Sequence, residues 1–185
     1  SLFAFSDENW KRPQDEVNTL MELMVDAILK ETPTLLKNNV KFRVIGDKER
    51  LPKVVQEKIL SAEDSTKAST GLTLIVFLSY SGKWDILQAA HRYYKENSLS
   101  LQMPSPDEFD KYLSTAGIPD PDLLIRTSGE QRISNYLLWQ TAYTEFYFPE
   151  VLWPDFRKND FQQALEEYAA RERRYGKTGE QVNNL

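Results

Sequence analysis

Short apolar runs alternate along the chain with longer segments in which apolar residues recur at helical spacing. The apolar runs have the length of strands, and five are predicted strands: residues 3–5, 40–45, 72–78, 123–125 and 146–148. After Pro13, apolar residues repeat at the spacing of one helix face: Val17, Leu20, Met21, Met24 and Ile28. Further helices are predicted over 49–67, 84–95 and 106–114, from Ser134, and over 160–175.

This alternation predicts an α/β fold with a mostly parallel central sheet flanked by helices. Ligands of such folds collect at the carboxyl ends of the strands, where loops lead into helices. A length of 185 residues suits a single domain. The first strand opens the chain with no βαβ unit before it, so we expect the domain over 1–185 to be N-terminally incomplete.

Composition narrows the range of functions. A net charge of −5 disfavours a general nucleic-acid-binding protein, so we expect no nucleic acid among the partners. No run approaches the roughly 18–20 apolar residues of a transmembrane segment. The absence of cysteine excludes thiol chemistry and suits a cytoplasmic protein. Basic clusters at Lys11–Arg12, Arg126–Arg132 and Arg171–Lys177 are typical either of sites for small anions or of solvated surface.

The loop at residues 6–13 follows the first predicted strand and leads into the first helix. Ser6 and Asn9 supply hydrogen-bonding groups. Trp10 supplies an aromatic surface, and Arg12 lies beside the helix N-terminus. A cation at that end opposes the helix dipole, and a bound anion such as a diphosphate would remove the mismatch. An ordinary capping loop, with Trp10 in the core, is the alternative interpretation.

The loop at residues 122–135 follows the fourth predicted strand and contains a glycine turn. Arg126 and Arg132 flank that turn, and guanidinium groups match phosphate oxygens in bidentate fashion. Ser134 opens the next predicted helix, where it can donate its hydroxyl to a phosphate or cap the helix. A strand, a glycine turn and a helix N-terminus in this order favour a phosphate-binding site.

Both loops resemble segments of the cis-prenyltransferase family. Residues 5–13 resemble its Ser-x-Glu-Asn-Trp-x-Arg-Pro segment, and residues 122–135 resemble its Asp-Leu-x-Ile-Arg-Thr-x-Gly-Glu-x-Arg-x-Ser-Asn signature. The similarity continues to residue 176 and is greatest to bacterial undecaprenyl diphosphate synthases. It implies their fold and their reaction. These transferases extend an allylic diphosphate, farnesyl diphosphate, with isopentenyl diphosphate to make the undecaprenyl diphosphate lipid carrier of cell-wall synthesis.

The resemblance also implies roles for the polar residues of both loops. Arg126, Arg132 and Ser134 match the residues that hold the diphosphate of isopentenyl diphosphate. Ser6 and Asn9 match residues at the reacting centre that help to remove the proton from the condensing isoprenoid.

Other residues receive their implied roles in the same way. Arg12 matches a residue that faces the allylic diphosphate, and Trp10 one that packs near its chain. The family uses Mg²⁺, and Glu145 matches its metal-associated carboxylate. Its members are homodimers, and Arg174 and Gly176 match a C-terminal motif that reaches the partner's site.

One family motif is missing. The Asp-Gly-Asn-Gly-Arg-Trp loop, whose aspartate is the family's principal metal ligand, is absent from these 185 residues, so we expect this chain alone to be inactive. The absence keeps open a second interpretation, a non-catalytic prenyltransferase-like binding subunit. The product of an active enzyme would pass to a membrane, so a cytoplasmic protein with peripheral membrane contact is expected.

Overall fold

The computed structural model describes residues 1–97 and 102–174. The chain forms two compact units, Ser1–Gly117 and Ile118–Leu185, each built around its own parallel sheet. Strands and helices alternate as the sequence predicts, and the α/β fold class is confirmed. That 1–185 is a single domain stays a prediction.

The first unit contains a three-stranded parallel sheet in the order β1-β3-β2. Its strands are β1 (Leu2–Ser6), β2 (Lys41–Ile45) and β3 (Thr73–Tyr80). Its helices are α1 (Gln14–Lys37), α2 (Lys53–Thr66), α3 (Gly82–Glu96) and α4 (Pro106–Asp110). Two 3-10 turns follow strands: Asp7–Lys11 after β1, and Lys48–Arg50 after β2.

The register of this sheet places three loops at one edge. Ser6, the last residue of β1, lies opposite Tyr80, the last residue of β3. Ile45, the last residue of β2, lies opposite Phe77 of β3. Because parallel strands leave a sheet at the same edge, the segments that follow β1, β2 and β3 emerge close together.

The core of the first unit is formed by the sheet and helices α1 and α2. Buried apolar residues on this side form one cluster: Phe5, Val17, Met21, Phe42, Val44, Leu51, Val55, Ile59, Ala62 and Leu78. Of the predicted face of α1, only Val17 and Met21 are fully buried, and Leu20, Met24 and Ile28 are partly buried against the cluster. Burying one such side chain stabilises the fold by about 1.5–3 kcal/mol.

Gly46 lets the chain leave β2 close to β3. Its φ is +140°, and a Cβ at this position would lie 1.8 Å from the carbonyl oxygen of Leu78. Only a residue without a side chain fits there. The next residue is then bonded to β3, because the N–H of Asp47 donates to the carbonyl oxygen of Ser79 at 3.0 Å. The segment after β2 is therefore tied to the end of β3.

Side chains of α2 satisfy two backbone N–H groups of β2. The Thr66 hydroxyl accepts a hydrogen bond from the Phe42 N–H at 3.0 Å, and Glu63 accepts one from the Val44 N–H at 2.7 Å. Thr66 also donates to the carbonyl oxygen of Ala62 at 2.8 Å. These bonds fix α2 against the strand and occupy donors that a sheet edge otherwise exposes.

The described part of the second unit, residues 118–174, contains a two-stranded parallel sheet and one helix. Strand β4 (Leu123–Ile125) pairs with β5 (Glu145–Tyr147), with Leu124 opposite Phe146. A 3-10 turn, Trp153–Asp155, and helix α5 (Lys158–Ala169) follow.

The predicted helix from Ser134 is wrong. Residues 134–143 form a succession of turns, and Ser134, Asn135 and Leu137 have φ values of 47°, 62° and 48°. Left-handed residues interrupt the hydrogen-bond ladder of a right-handed helix. Several residues of these turns are nevertheless buried, such as Leu137 and Thr141.

We expect Thr66→Val to destabilise the protein by about 1–3 kcal/mol, because it leaves the buried Phe42 N–H without an acceptor at nearly unchanged volume. Thr19→Val is the matched control, since the Thr19 hydroxyl bonds only the helix backbone at an exposed position, and should change stability by less than about 0.5 kcal/mol. Urea denaturation with unchanged m-values measures both. Equal midpoints for the two variants would contradict this role of Thr66.

Candidate functional site

The segment after β1 is a short turn closed by Asn9. The backbone N–H of Ser6 donates to Asn9 Oδ1 at 2.8 Å, and the N–H of Arg12 donates to the carbonyl oxygen of Asn9 at 3.1 Å. The first bond fixes the orientation of the amide and directs its acceptor into the loop. The Nδ2 group of Asn9 is therefore the part of this side chain that is suited to donate to a ligand.

Trp10 is held on three sides. Its ring packs edge-on against Phe5, with centroids 5.1 Å apart, and its Nε1–H donates to Ser79 Oγ at 3.0 Å. The guanidinium of Arg50 lies over the ring, 5.2 Å from its centroid, and is also paired with the carboxylate of Asp7. The half-buried indole is therefore partly packed, as expected from the alternative interpretation of this loop as a capping loop with Trp10 in the core.

Arg12 has a partner of its own. Its guanidinium pairs with Glu16 at 2.7 Å, and both side chains are half exposed. Helix α1 begins at Gln14, with Pro13 as its N-cap, so Glu16 lies in the first turn. That carboxylate already balances the cation that opposes the helix dipole. A bound anion is therefore not needed to explain a cation at the N-terminus of α1, and the helix dipole no longer indicates an anion site at Arg12.

The structure brings Arg126, Arg132 and Ser134 together in one loop. Nη1 of Arg126 donates to Ser134 Oγ at 2.6 Å and to the carbonyl oxygen of Arg132 at 2.7 Å. We call residues 126–134 the arginine turn.

Backbone hydrogen bonds hold the arginine turn against β5 and the residues after it. The N–H of Arg126 donates to Tyr147 at 3.0 Å, that of Ser128 to Val151 at 2.8 Å, and that of Gly129 to Pro149 at 2.9 Å. Ser128 and Gly129 have φ values of 71° and 66°, which reverse the chain between the two arginines. The turn is thus a backbone scaffold that carries two cations.

Two like charges share the arginine turn. Partial burial lowers the pKa of Arg126, the charge of Arg132 lowers it further, and Glu130 acts in the opposite direction. Arg132 pairs with Glu130, and both are solvent accessible. One carboxylate between two guanidinium groups leaves a net positive charge, which a phosphate anion would balance.

The arginine turn does not end at a helix N-terminus, because no helix begins at Ser134. The expected help of a helix dipole in binding phosphate is therefore absent. Guanidinium groups and the Ser134 hydroxyl remain as the groups that can hold an anion here.

Glu145, the predicted metal ligand, is the first residue of β5. Its Oε2 accepts a hydrogen bond from Arg171 Nη1 at 2.9 Å, and the same nitrogen donates to the carbonyl oxygen of Phe146 at 2.9 Å. Within residues 1–97 and 102–174, no group of three or more His, Cys, Asp or Glu side chains could hold a metal ion. The described residues do not by themselves form a metal site, and that Glu145 binds a metal stays a prediction.

Arg173 and Arg174, near the C-terminus, make different contacts. Arg173 pairs with Asp122 at 2.5 Å and donates to the Tyr168 hydroxyl at 2.7 Å, so it fixes the segment after α5 to the start of β4. Arg174 pairs with Glu172 and is exposed. Gly176 lies outside the described residues.

Sequence reasoning missed the buried carboxylate of Asp85. It accepts hydrogen bonds from the Tyr80 hydroxyl at 3.1 Å, from Gln88 Nε2 at 3.0 Å and from the Ser114 N–H at 2.8 Å. It therefore joins the end of β3 to α3 and to residue 114. The sequence contained a signal, because Asp85 lies at helical spacing from Ala89 and Tyr93, with which it shares the buried face of α3.

The chain is similar to a known family over nearly its whole length. A family model described as undecaprenyl diphosphate synthase matches residues 1–176. The ditrans,polycis-undecaprenyl-diphosphate synthase of Coxiella burnetii, specific for (2E,6E)-farnesyl diphosphate, is 53% identical, with 98% of this chain and 78% of that protein covered. An isoprenyl transferase of Chlorobaculum tepidum is 48% identical, with 98% and 70% covered.

A solved structure shares the fold. Lavandulyl diphosphate synthase from Lavandula x intermedia, in complex with dimethylallyl diphosphate, aligns with a TM-score of 0.90 and 37% identity, covering 95% of this chain and 77% of that one.

We expect the arginine turn to bind inorganic diphosphate. Arg132→Ala should weaken that binding about tenfold or more, because a charge-assisted hydrogen bond to an anion is worth about 1.5–3 kcal/mol. Glu130→Gln should bind at least as tightly as the parent, because it removes a competing carboxylate. Isothermal titration at fixed ionic strength measures both, with Arg157→Ala, an exposed arginine of the same unit, as control. Unchanged affinity in Arg132→Ala would exclude Arg132 from the anion site.

Proposed function

The chain belongs to the undecaprenyl diphosphate synthase family of prenyltransferases, and on that premise we propose that it condenses isopentenyl diphosphate with farnesyl diphosphate to make undecaprenyl diphosphate. The product would serve as the lipid carrier of cell-wall synthesis. Each cycle breaks the C–O bond of the allylic diphosphate, forms a C–C bond to the isopentenyl group, and releases diphosphate and one proton.

The observation that carries the proposal is the arginine turn, in a chain 53% identical to a farnesyl-specific synthase. Arg126 already holds the Ser134 hydroxyl and the backbone of Arg132, so the turn is formed before any ligand arrives. Diphosphate would replace Glu130 as the partner of Arg132 and supply the negative charge that the turn lacks. This is the site assigned to isopentenyl diphosphate.

The segment after β1 is assigned to the allylic substrate and the reacting centre. A side-chain amide is not a base at neutral pH, so Asn9 would act by donating hydrogen bonds from Nδ2 and Ser6 by its hydroxyl, rather than by taking the proton themselves. Arg12 would turn from Glu16 to the allylic diphosphate, and Trp10 would offer the exposed part of its ring to the chain.

Mg²⁺ is proposed to arrive with the diphosphate of a substrate. Magnesium is often bound through substrate phosphates and one or two carboxylates rather than by a dedicated protein site. That mode agrees with the absence of an acidic cluster in the described residues. Arg171 bonds Oε2 of Glu145, and Oε1 is the oxygen through which Glu145 could contribute.

The working protein is proposed to be a cytoplasmic homodimer in peripheral contact with the membrane that receives its product. No helix in the described part of the chain is long and apolar enough to cross a membrane. Among the described residues Arg174 bonds Glu172, two positions before it, which is compatible with an action in the partner's site together with Gly176.

A non-catalytic binding subunit is the second candidate function. The local geometry that supports it is the pairing of Glu145 with Arg171, which leaves the predicted metal ligand neutralised. Such a subunit would bind diphosphate at the arginine turn but form no C–C bond. Binding measurements therefore cannot distinguish the two candidates, and a condensation assay can.

We expect the protein expressed from its complete reading frame to convert farnesyl and radiolabelled isopentenyl diphosphate into long polyprenyl diphosphates with Mg²⁺, and to stop when the metal is chelated. Asn9→Ala and Asn9→Asp should each lower kcat by about a hundredfold or more. Asp still offers an oxygen to the Ser6 N–H, so Asn9→Asp keeps that bond while it replaces the Nδ2 donor with a charged acceptor.

Two outcomes would contradict these expectations. Diphosphate binding without any condensation would favour the non-catalytic subunit. An Asn9→Asp enzyme with parental kcat would show that donation from Nδ2 is not needed.

Subunit exchange tests the dimer. If Arg174 acts in the partner's site, a heterodimer of Arg174→Ala and Arg132→Ala subunits contains one site with both arginines intact, so mixtures should regain activity that neither parent has. If each arginine acts within its own subunit, every site carries one defect. Mixtures as inactive as the parents, or only monomers in sedimentation, would exclude the shared site.

A further inference from the structure

We propose that Arg50 and Ser79 are positioning residues that hold the segment of residues 6–12 in its catalytic conformation. This inference rests on the proposed function, which assigns Ser6 and Asn9 to the reacting centre. Neither Arg50 nor Ser79 belongs to the motifs of the two loops. Each comes from a different strand end at the same edge of the sheet.

The segment needs support from outside. It consists mainly of a five-residue 3-10 turn, Asp7–Lys11, in which no residue is fully buried. Turns of this kind have poorer hydrogen-bond geometry than α-helices and rarely persist on their own. Its internal bonds, from the Ser6 N–H and the Arg12 N–H to Asn9, close the turn but do not fix it to the sheet.

Arg50 supplies the first support. Its guanidinium pairs with Asp7 and at the same time covers the ring of Trp10, so it contacts both ends of the five-residue turn. A half-exposed ion pair alone would contribute little. A planar guanidinium that bonds one residue and stacks on another constrains the direction of both. Lysine cannot do this.

Ser79 supplies the second support. It is 1% exposed, has a φ of +51°, and accepts the indole N–H of Trp10 on its hydroxyl. Its carbonyl oxygen accepts the N–H of Asp47 at 3.0 Å. One residue of β3 thus bonds the segment after β1 with its side chain and the segment after β2 with its backbone. The latter segment carries Arg50, so the two supports are joined to each other.

Together these contacts hold the indole of Trp10 by its face, its edge and its nitrogen. Trp10 directly follows Asn9, so a rotation of the indole would move the amide proposed to act on the reacting isoprenoid. Misplacement of a reacting group by about 1 Å can cost roughly a hundredfold in rate. Loss of either support should therefore lower kcat while the binding of isopentenyl diphosphate, assigned to the second unit, stays nearly unchanged.

Ser79→Gly separates positioning from stability. Glycine adopts a φ of +51° without strain, so this variant removes the hydroxyl without burdening the backbone. Arg50→Ala removes the other support. Lys67→Ala, which breaks the exposed pair of Lys67 with Asp64 at the end of α2, is the matched control for loss of a surface cation.

The test uses the protein from its complete reading frame and three measurements. The indole N–H resonance of Trp10, assigned by its loss in Trp10→Phe, should shift in Ser79→Gly and in Arg50→Ala but not in Lys67→Ala. In both positioning variants kcat should fall by about tenfold or more, with the KM for isopentenyl diphosphate changed less than about threefold. Denaturation midpoints should show that Ser79→Gly stays folded at the assay temperature, because relief of a φ of +51° offsets part of the cost of the lost hydrogen bond.

Each contrary result has one meaning. If the parent makes polyprenyl product and both variants keep kcat within about twofold, or if the indole resonance stays in place, the positioning role is refuted and the proposed function stands. If the parent makes no product, the proposed function fails and this inference fails with it.

Discussion

The shared edge at which β1, β2 and β3 leave their sheet is the constraint on which the first unit depends. Three parallel strands in register bring the segments after them together, although these segments are far apart in sequence. Gly46 makes the close approach possible, because any side chain there would collide with the carbonyl oxygen of Leu78. Ser79 then bonds the segments from both neighbouring strands. The loop that carries Ser6, Asn9 and Trp10 is positioned by the sheet more than by its own short turn.

The arginine turn is suited to bind an anion without a helix N-terminus. It uses backbone bonds to β5 and the residues after it, and two guanidinium groups, in place of a helix N-terminus. Positive charge is concentrated there because both arginines lie in one short turn and the Arg126 side chain bonds Ser134. Partial burial lowers the pKa of Arg126 and the charge of Arg132 lowers it further, and only the second cause reflects the excess of positive charge in the turn. An anion would relieve it, which is the physical basis for placing a substrate diphosphate there.

Arginine–carboxylate pairs occupy several of the groups that the family resemblance assigns to ligands. Glu16 holds Arg12, Glu130 holds Arg132, and Arg171 holds Glu145. These pairs are exposed or half-buried, so each is weak and exchangeable. A multiply charged diphosphate competes well for the arginines. A cation near Glu145 would share the carboxylate with Arg171, which bonds its Oε2. A lavandulyl diphosphate synthase shares this fold, and a fold by itself does not fix a function.

The sequence by itself determined the elements and the two loops, because apolar periodicity is local and the loop residues are contiguous. The α/β class, the helix from residue 14 and the grouping of Arg126, Arg132 and Ser134 were all predictable on that basis. The helix predicted from Ser134 was wrong, because left-handed residues there form successive turns. Only the tertiary structure decided the partners of Trp10, Asp7 and Glu145, which lie 69, 43 and 26 positions away along the chain. Such pairings follow from strand order and register, and no local pattern encodes them.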